Sequence, residues 1–199
     1  MAQRILFWGT AVLVGALIGA ASAWWAISRG GGWFDQAYAG GWRGNALAGS
    51  QAADPYTRAI VARNGLLALS ARETIYFTLA EDEDGRPLDE ACVYELSGRA
   101  LPARWWSVTL YAPDNYLPQN NDRAFSIDAT RAQPGADGQW RARISAGRGD
   151  AAHWISSRAA HRGYSLTLRL YQPRQEAREH PDTITFPALT TLSCPEPVS

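Results

Sequence analysis

The chain has 199 residues, and its 19 basic side chains, all arginine, balance 19 acidic ones to a formal net charge of zero. That balance lacks the basic excess expected of a nucleic-acid binder, and no nucleic-acid partner is expected. With 46% hydrophobic residues and about 165 residues beyond the first apolar segment, one domain with a substantial core is expected.

From Ile5 to Ile27 the chain carries no charge, between Arg4 and Arg29. As a helix this stretch is about 35 Å long, enough to cross a hydrocarbon layer of about 30 Å. Trp8 at one end and Trp24 with Trp25 at the other fall where indole rings prefer to lie. The rival reading is a cleaved secretory signal ending at Ala21-Ser22-Ala23. Apolar character continues through Trp24 to Ile27 and outlasts a usual signal core, which favours an uncleaved anchor. The partner expected of residues 5–27 is therefore a membrane, the inner membrane if the cell is bacterial. Arg4 on one side and Arg29 with Arg43 on the other nearly tie under the positive-inside rule. Ala11, Gly15, Gly19 and Ala23 recur every fourth residue, a spacing that would let two such helices pair through the Gly15 and Gly19 face.

The expected organisation is an anchor over residues 1–29, a linker over 30–53 and a β-rich domain over 54–199. Gly30-Gly31-Gly32 and the stretch from Gly40 to Gln51 read as loose chain. Asp54-Pro55 reads as a helix start, with an N-cap acceptor and proline at the first helical position. A helix is expected from Pro55 to Asn64, or onward to Leu69, with Tyr56, Ile60 and Leu67 along one face.

Beyond Arg72 the pattern changes to short alternating runs, the mark of antiparallel strands. Thr74 to Leu79 is expected to form a hairpin with Cys92 to Leu96. The intervening Glu81-Asp82-Glu83-Asp84-Gly85 resembles part of a calcium loop. Ala80 and Ala91 stand where that loop needs its first and last ligands, however, so an Asp-Gly turn is the better reading. Arg104 to Ala112 alternates Trp106, Val108 and Leu110 with Trp105, Ser107, Thr109 and Tyr111. Ser165 to Tyr171 repeats the device with Leu166, Leu168 and Leu170 against Ser165, Thr167, Arg169 and Tyr171. Further strands are expected at Ala124 to Ile127, Trp140 to Ile144 and Leu189 to Cys194, with a turn or half-strand at His153-Trp154-Ile155. The implied fold class is all-β: an antiparallel, jelly-roll-like β-sandwich with one short helix ahead of it and a transmembrane helix at the N-terminus.

Cys92 and Cys194 are the only cysteines. An isolated pair in an oxidising compartment usually bridges, which points to the periplasm or the outside of the cell and breaks the tie in orientation; two free thiols are the alternative. Charge is unevenly spread. Glu81 to Asp84, Asp89, Glu90 and Glu95 form an acidic region, while residues 131–178 hold nine arginines against Asp137, Asp150 and Glu176. Two solvated faces are the plain reading, and an anion-binding face is the alternative.

The polar-aromatic strand faces carry the most chemistry. Trp105, Ser107, Tyr111, Arg169 and Tyr171 could stack a ring and hydrogen-bond hydroxyls or a carboxylate. Alternatively the helix after Pro55 covers them and they are ordinary core. Catalytic signals are thin. Gly163-Tyr164-Ser165 lacks the second glycine of a nucleophile elbow. His153, His161 and His180 fall in no metal-ligand spacing, so neither a metal nor another cofactor is expected, and no catalytic residue is assigned. Arg148-Gly149-Asp150 reads as a tight turn.

The run Pro102-Ala103-Arg104-Trp105-Trp106-Ser107-Val108-Thr109-Leu110-Tyr111 resembles the signature strand of the bacterial domain of unknown function family 1214. Asn120, Arg123 and Ser126 are similar to the residues after that strand in the family, as are Leu166-Thr167-Leu168-Arg169-Leu170-Tyr171 with Pro173. Tyr56-Thr57-Arg58-Ala59 and Glu73-Thr74-Ile75-Tyr76-Phe77 resemble its short, membrane-anchored members. The resemblance spans roughly Gly41 to Cys194. It implies a β-sandwich at the cell envelope, often behind a second domain of unknown function, and brings no established catalytic residues. Trp105, Tyr111, Asn120, Arg123 and Ser126 match its motif positions and join Ser107, Arg169 and Tyr171 as binding candidates. The functional expectation is a non-catalytic binding or accessory module whose ligand the residues do not name. The alternatives are a periplasmic hydrolase using a histidine beside Ser126 or Asp128, and a structural partner in an envelope assembly.

Overall fold

A computed structural model of the chain describes residues 2–29, 36–44, 48–49, 53–63 and 69–195. The first element, α1, runs Ala2–Arg29. Its stretch Gln3–Ser28 is long and apolar enough to cross a membrane. Ile5, Leu6, Trp8 and Leu17 are exposed rather than packed on the domain, as a membrane anchor or a signal sequence requires.

The second helix, α2, spans Pro55–Arg63. The Asp54 carboxylate caps it, Oδ1 accepting from the backbone N–H of Tyr56 at 2.8 Å and of Thr57 at 3.1 Å. Thr57 rather than Tyr56 is its buried residue, so the expected Tyr56-Ile60 face is turned by about one position. The expected continuation through Asn64 and Leu67, like Gly30-Gly31-Gly32, lies outside the described residues. Arg63 Nη1 donates to the carbonyl of Ile27 at 2.8 Å, which supplies a partner to one of the open carbonyls at the end of α1.

Two sheets pack face to face. One holds six strands: β1 (Gln36–Ala37), β2 (Arg43–Gly44), β3 (Thr74–Leu79), β5 (Ala103–Tyr111), β6 (Ser126–Asp128) and β9 (Ser165–Pro173), in the order β1-β2-β3-β9-β5-β6. The other holds β4 (Val93–Gly98), β7 (Trp140–Ser145), β8 (Trp154–Ser156) and β10 (Ala188–Ser193), in the order β10-β4-β7-β8. All strand pairs are antiparallel except β7 with β8. The fold is therefore a mainly antiparallel β-sandwich. The expected half-strand at His153-Trp154-Ile155 is β8, running parallel to β7 because residues 146–153 return the chain before it starts. A short helix, α3 (Gln175–Glu179), leads from β9 toward β10.

Three sequence expectations are corrected. The strands β3 and β4 do not form a hairpin: β3 pairs with β2 and β9, while β4 pairs with β10 and β7. The acidic turn between them closes on itself. Asp82 Oδ1 accepts from the N–H groups of Asp84 and Arg86 at 3.0 and 2.9 Å, Gly85 holds φ 75, and Glu81 bridges Pro87. From there the buried Leu88 carries the chain into the opposite sheet. Residues 36–44, expected within a linker, contribute β1, β2 and Trp42, which is fully buried and donates Nε1–H to the carbonyl of Pro187 at 2.8 Å. The strand expected at Ala124 to Ile127 begins two residues later, at Ser126.

The core follows from the alternation. Trp106, Val108, Leu110, Leu166, Leu168 and Leu170 face inward and are buried against Leu96, Ala142, Ile144 and Ile155. Each such leucine stabilises the fold by about 1.5–3 kcal/mol relative to exposure. Tyr38, Trp42, Phe77 and Phe186 form an aromatic group at the β1–β2 side. Cys92 and Cys194 are joined in a disulfide, 102 residues apart, that fastens the start of β4 to the chain just beyond β10.

Candidate functional site

Antiparallel register decides which side chains meet on the outer face of the six-stranded sheet. Thr74, Tyr171 and Trp105 are direct neighbours in one row. The next row holds Tyr76, Arg169, Ser107 and Asp128, and the next Arg43, Thr78, Thr167, Thr109 and Ser126. Tyr111 and Ser165 close the series.

The middle of this face is occupied. Arg169 Nη2 donates to the Tyr111 hydroxyl at 2.8 Å, and its guanidinium carbon lies 5.3 Å from the Tyr111 ring centre and 6.0 Å from that of Tyr76. Ser107 and Thr167 are buried. Ser107, Tyr111 and Arg169 thus share the face, but two of them serve mainly to hold each other.

Either side of that centre the surface opens. On one side the rings of Trp105 and Tyr171 lie 5.1 Å apart at 55°, beside a groove of about 430 Å³ also lined by Leu69, Glu73, Thr74, Arg104 and Gln172. Trp105 is 37% exposed, and its Nε1–H is fixed to Thr130 Oγ1 at 3.0 Å. Arg104 Nη1 donates to Gln172 Oε1 at 3.1 Å. Gln172 holds φ 46, a left-handed backbone that is uncommon outside glycine. The Thr74 hydroxyl is buried without a hydrogen-bond partner among the described residues.

At the β6 edge a second concavity of about 280 Å³ is lined by Arg123 and Ser126 with Arg131, Arg148, His153 and Asp122 among others. Asn120 is not in it. Its side chain accepts from Asp122 N–H at 3.0 Å and donates to the carbonyl of Arg158, so it shapes the loop rather than meeting a ligand. Ser126 Oγ accepts from Arg131 Nη2 at 3.1 Å.

The acids nearby are committed to partners. Burial opposes ionisation of Asp128, but hydrogen bonds and charge from Arg131 outweigh it and lower its pKa. The Ser156 hydroxyl and then the Arg158 guanidinium lower that of Asp122. Among the described residues His153 makes no hydrogen bond to Ser126, Asp122 or Asp128, and His161 lies 3.8 Å from Glu90 on the surface. Among the described residues no three His, Cys, Asp or Glu side chains gather as metal ligands.

The sequence pattern placed Trp105 and Tyr171 each on the polar-aromatic face of its own strand, which the β5–β9 register joins, but missed Tyr76, Arg104, Gln172, Arg131 and Arg148. Arg104 and Gln172 flank the two aromatic residues in sequence, a signal that could have found them. Arg131 and Arg148 come from separate loops and left only the arginine-rich composition as a sign.

No curated protein matches the sequence. Among solved structures, the VPA0106 protein from Vibrio parahaemolyticus shares 22% identity over 71% of this chain and 36% of its own, with a TM-score of 0.58. That likeness shows the fold. An uncharacterised protein from Burkholderia cenocepacia shares 14% identity over 60% of this chain and 30% of its own, with a TM-score of 0.45. The chain spans about a third of the length of these structures. The sequence profile described as "Protein of unknown function (DUF1214)" matches residues 73–175. That match runs from the start of the groove-lining strand β3 through the whole of β9, more than half of the chain, and this protein belongs to the DUF1214 family.

Proposed function

We propose that this protein is a non-catalytic binding module, held at the bacterial inner membrane by α1 and presenting its sandwich to the periplasm. The Trp105–Tyr171 groove takes a ring-bearing, hydroxyl-rich ligand of the saccharide class. The observation that carries this reading is the pairing of two partly open aromatic rings from adjacent strands beside polar groups of Glu73, Arg104 and Gln172. Aromatic faces stack on a sugar ring while planar polar side chains bond its hydroxyls, a division of labour common to ligand sites. The pinned Trp105 ring needs little ordering on binding. The disulfide supports an oxidising compartment.

The test is calorimetric titration of the full chain in neutral detergent with a panel of envelope-type oligosaccharides, and the same titrations on Trp105→Ala and Tyr171→Ala. Saturable binding to at least one of them is expected, weakened about tenfold or more in each variant, since stacking on an aromatic ring is worth more than 1 kcal/mol. Absence of binding across the panel, or full affinity in Trp105→Ala, would overturn the reading.

A further inference from the structure

We infer that the β6-edge cleft is an oxyanion site that takes a phosphoryl group, separate from the Trp105–Tyr171 groove. Three guanidinium side chains from three different segments converge there: Arg123 from the loop before β6, Arg131 from the turn after it and Arg148 from the loop between β7 and β8. Bringing like charges into one concavity is unfavourable unless something negative compensates them.

The acids of this chain supply only part of that compensation. Asp122 is bound by Ser156 and Arg158, Asp128 by Arg131 at 2.7 Å, and Asp150 by Arg143 at 3.2 Å. Arg123 has no hydrogen-bond partner among the described residues. Arg148 reaches only a backbone carbonyl, with Nε 3.5 Å from the oxygen of Ala151. Two of the guanidinium groups that line the cleft therefore lack an acidic partner among the described residues. Arg131 is locked in place by Asp128 and Ser126, which leaves it a fixed charge. The Ser126 hydroxyl accepts from Arg131 and keeps its own proton to donate.

The backbone is also arranged for this. Arg123 holds φ 54, a left-handed conformation that a bulky residue adopts only when its surroundings enforce it. Here the enforcing contacts are on either side. Asn120 ties the loop to Arg158, and the carbonyl of Ala124 accepts from the N–H of Ser156 at 2.6 Å. Forked, planar guanidinium donors match the oxygens of a phosphoryl group, which offers more acceptors and more charge than a carboxylate. His153 lines the same wall.

The phosphoryl group could belong to a soluble phosphate or to a lipid headgroup, and the experiment separates them. The full chain, with isotope-labelled arginine side chains, is titrated with inorganic pyrophosphate in neutral detergent. It is also placed in nanodiscs of phosphatidylcholine with and without phosphatidic acid. Saturable shifts of the Arg123 and Arg148 side-chain N–H signals with pyrophosphate identify a soluble ligand, and shifts confined to phosphatidic acid identify a headgroup. Either supports the site. In both cases Arg123→Gln and Arg148→Gln should each weaken binding about tenfold. Ser126→Ala should weaken it less, and Trp105→Ala not at all. Signals unmoved by either phosphoryl source, or binding undiminished in both Arg123→Gln and Arg148→Gln, would overturn the proposal while leaving the saccharide reading of the groove untouched.

Discussion

The indoles of Trp106 and Trp140 stack across the interior with ring centres 4.7 Å apart and planes 28° from parallel. One belongs to the sheet that carries the candidate groove and the other to the sheet behind it. Trp140 also donates Nε1–H to the carbonyl of Arg99 at 3.0 Å, so its ring has little freedom. Directly across from it on β4 stands Gly98.

A methyl group at position 98 would meet Trp140 Cζ2 at 2.7 Å, closer than packed atoms tolerate. Because the ring is pinned on one face by Trp106 and at its edge by Arg99, it cannot swing aside. Gly98→Ala is therefore expected to destabilise the domain by about 1–3 kcal/mol, the usual cost of overpacking. Trp140→Ala should cost about 3–5 kcal/mol through the cavity it leaves. Denaturant unfolding followed by tryptophan fluorescence reads both. A Gly98→Ala protein with an unchanged midpoint would mean that the stack is loose.

The Cys92–Cys194 bridge closes a loop of 102 residues and pins the last strand at its far end. In the chain-entropy account such a loop is worth about 4–5 kcal/mol. Reduction should lower the unfolding midpoint sharply, and Cys92→Ser should reproduce the loss. Strand β10 lies at the edge of its sheet, paired only with β4 among the described residues, so amide exchange in Ala188–Ser193 should rise first. Equal stability with and without reductant would show that the bridge is not a major stabilising feature.

How much of this was legible in the sequence varies with the range of the contacts. Strands β5 and β9 were plain because their alternation is local, and Trp106, Val108, Leu110 and the three leucines of β9 face the core as read. The pairing of β3 was not legible, since its neighbours β2 and β9 lie far from it in sequence and its pattern suits either sheet. Trp42 was hidden in glycine-rich chain that resembles linker, and the residues that bury it, Pro187 and Phe186, come from the other end of the domain. The candidate site divides the same way. Trp105 and Tyr171 each show in their own strand, but that they form one platform depends on the β5–β9 register. The cleft with Arg123 needs three loops at once, which no local pattern encodes.

Asp82 gives the acid limb of stability. Its side chain is only 2% exposed, and that burial pushes its pKa up, but hydrogen bonds from the backbone and side chain of Arg86 and from Asp84 more than offset it. The net result is a carboxyl below its ordinary value of 3.8. A depressed folded-state value stabilises fully above the ordinary value and loses its effect as pH falls through the lower one. Asp82→Asn should therefore cost about 1–2 kcal/mol at neutral pH, discounted because its partner Arg86 is more than half exposed. The gap between wild type and variant should shrink below about pH 4. Urea unfolding across pH 2 to 7 measures it, and a gap constant over that range would assign the loss to packing instead of charge.

Arg169 and Tyr111 offer a test of what is scaffold and what is site on the outer face. Their hydrogen bond and ring contact share this face with the buried Ser107, the cross-strand partner of Arg169, and with the buried Thr167. Tyr111→Phe should cost about 0.5–1.5 kcal/mol, the value of one hydrogen bond. Arg169→Leu should cost about 1–3 kcal/mol, because it also removes the cation from between Tyr76 and Tyr111. The double variant should lose less than the sum, since both changes delete the same contact. Trp105 makes the opposite case. Its exposed ring contributes contact area to the groove and little to the core, so Trp105→Ala should leave the unfolding midpoint nearly unchanged while weakening the proposed saccharide binding about tenfold or more. If instead Trp105→Ala unfolds the domain and Arg169→Leu is silent, the roles are reversed, and the ligand surface lies over the centre of the sheet.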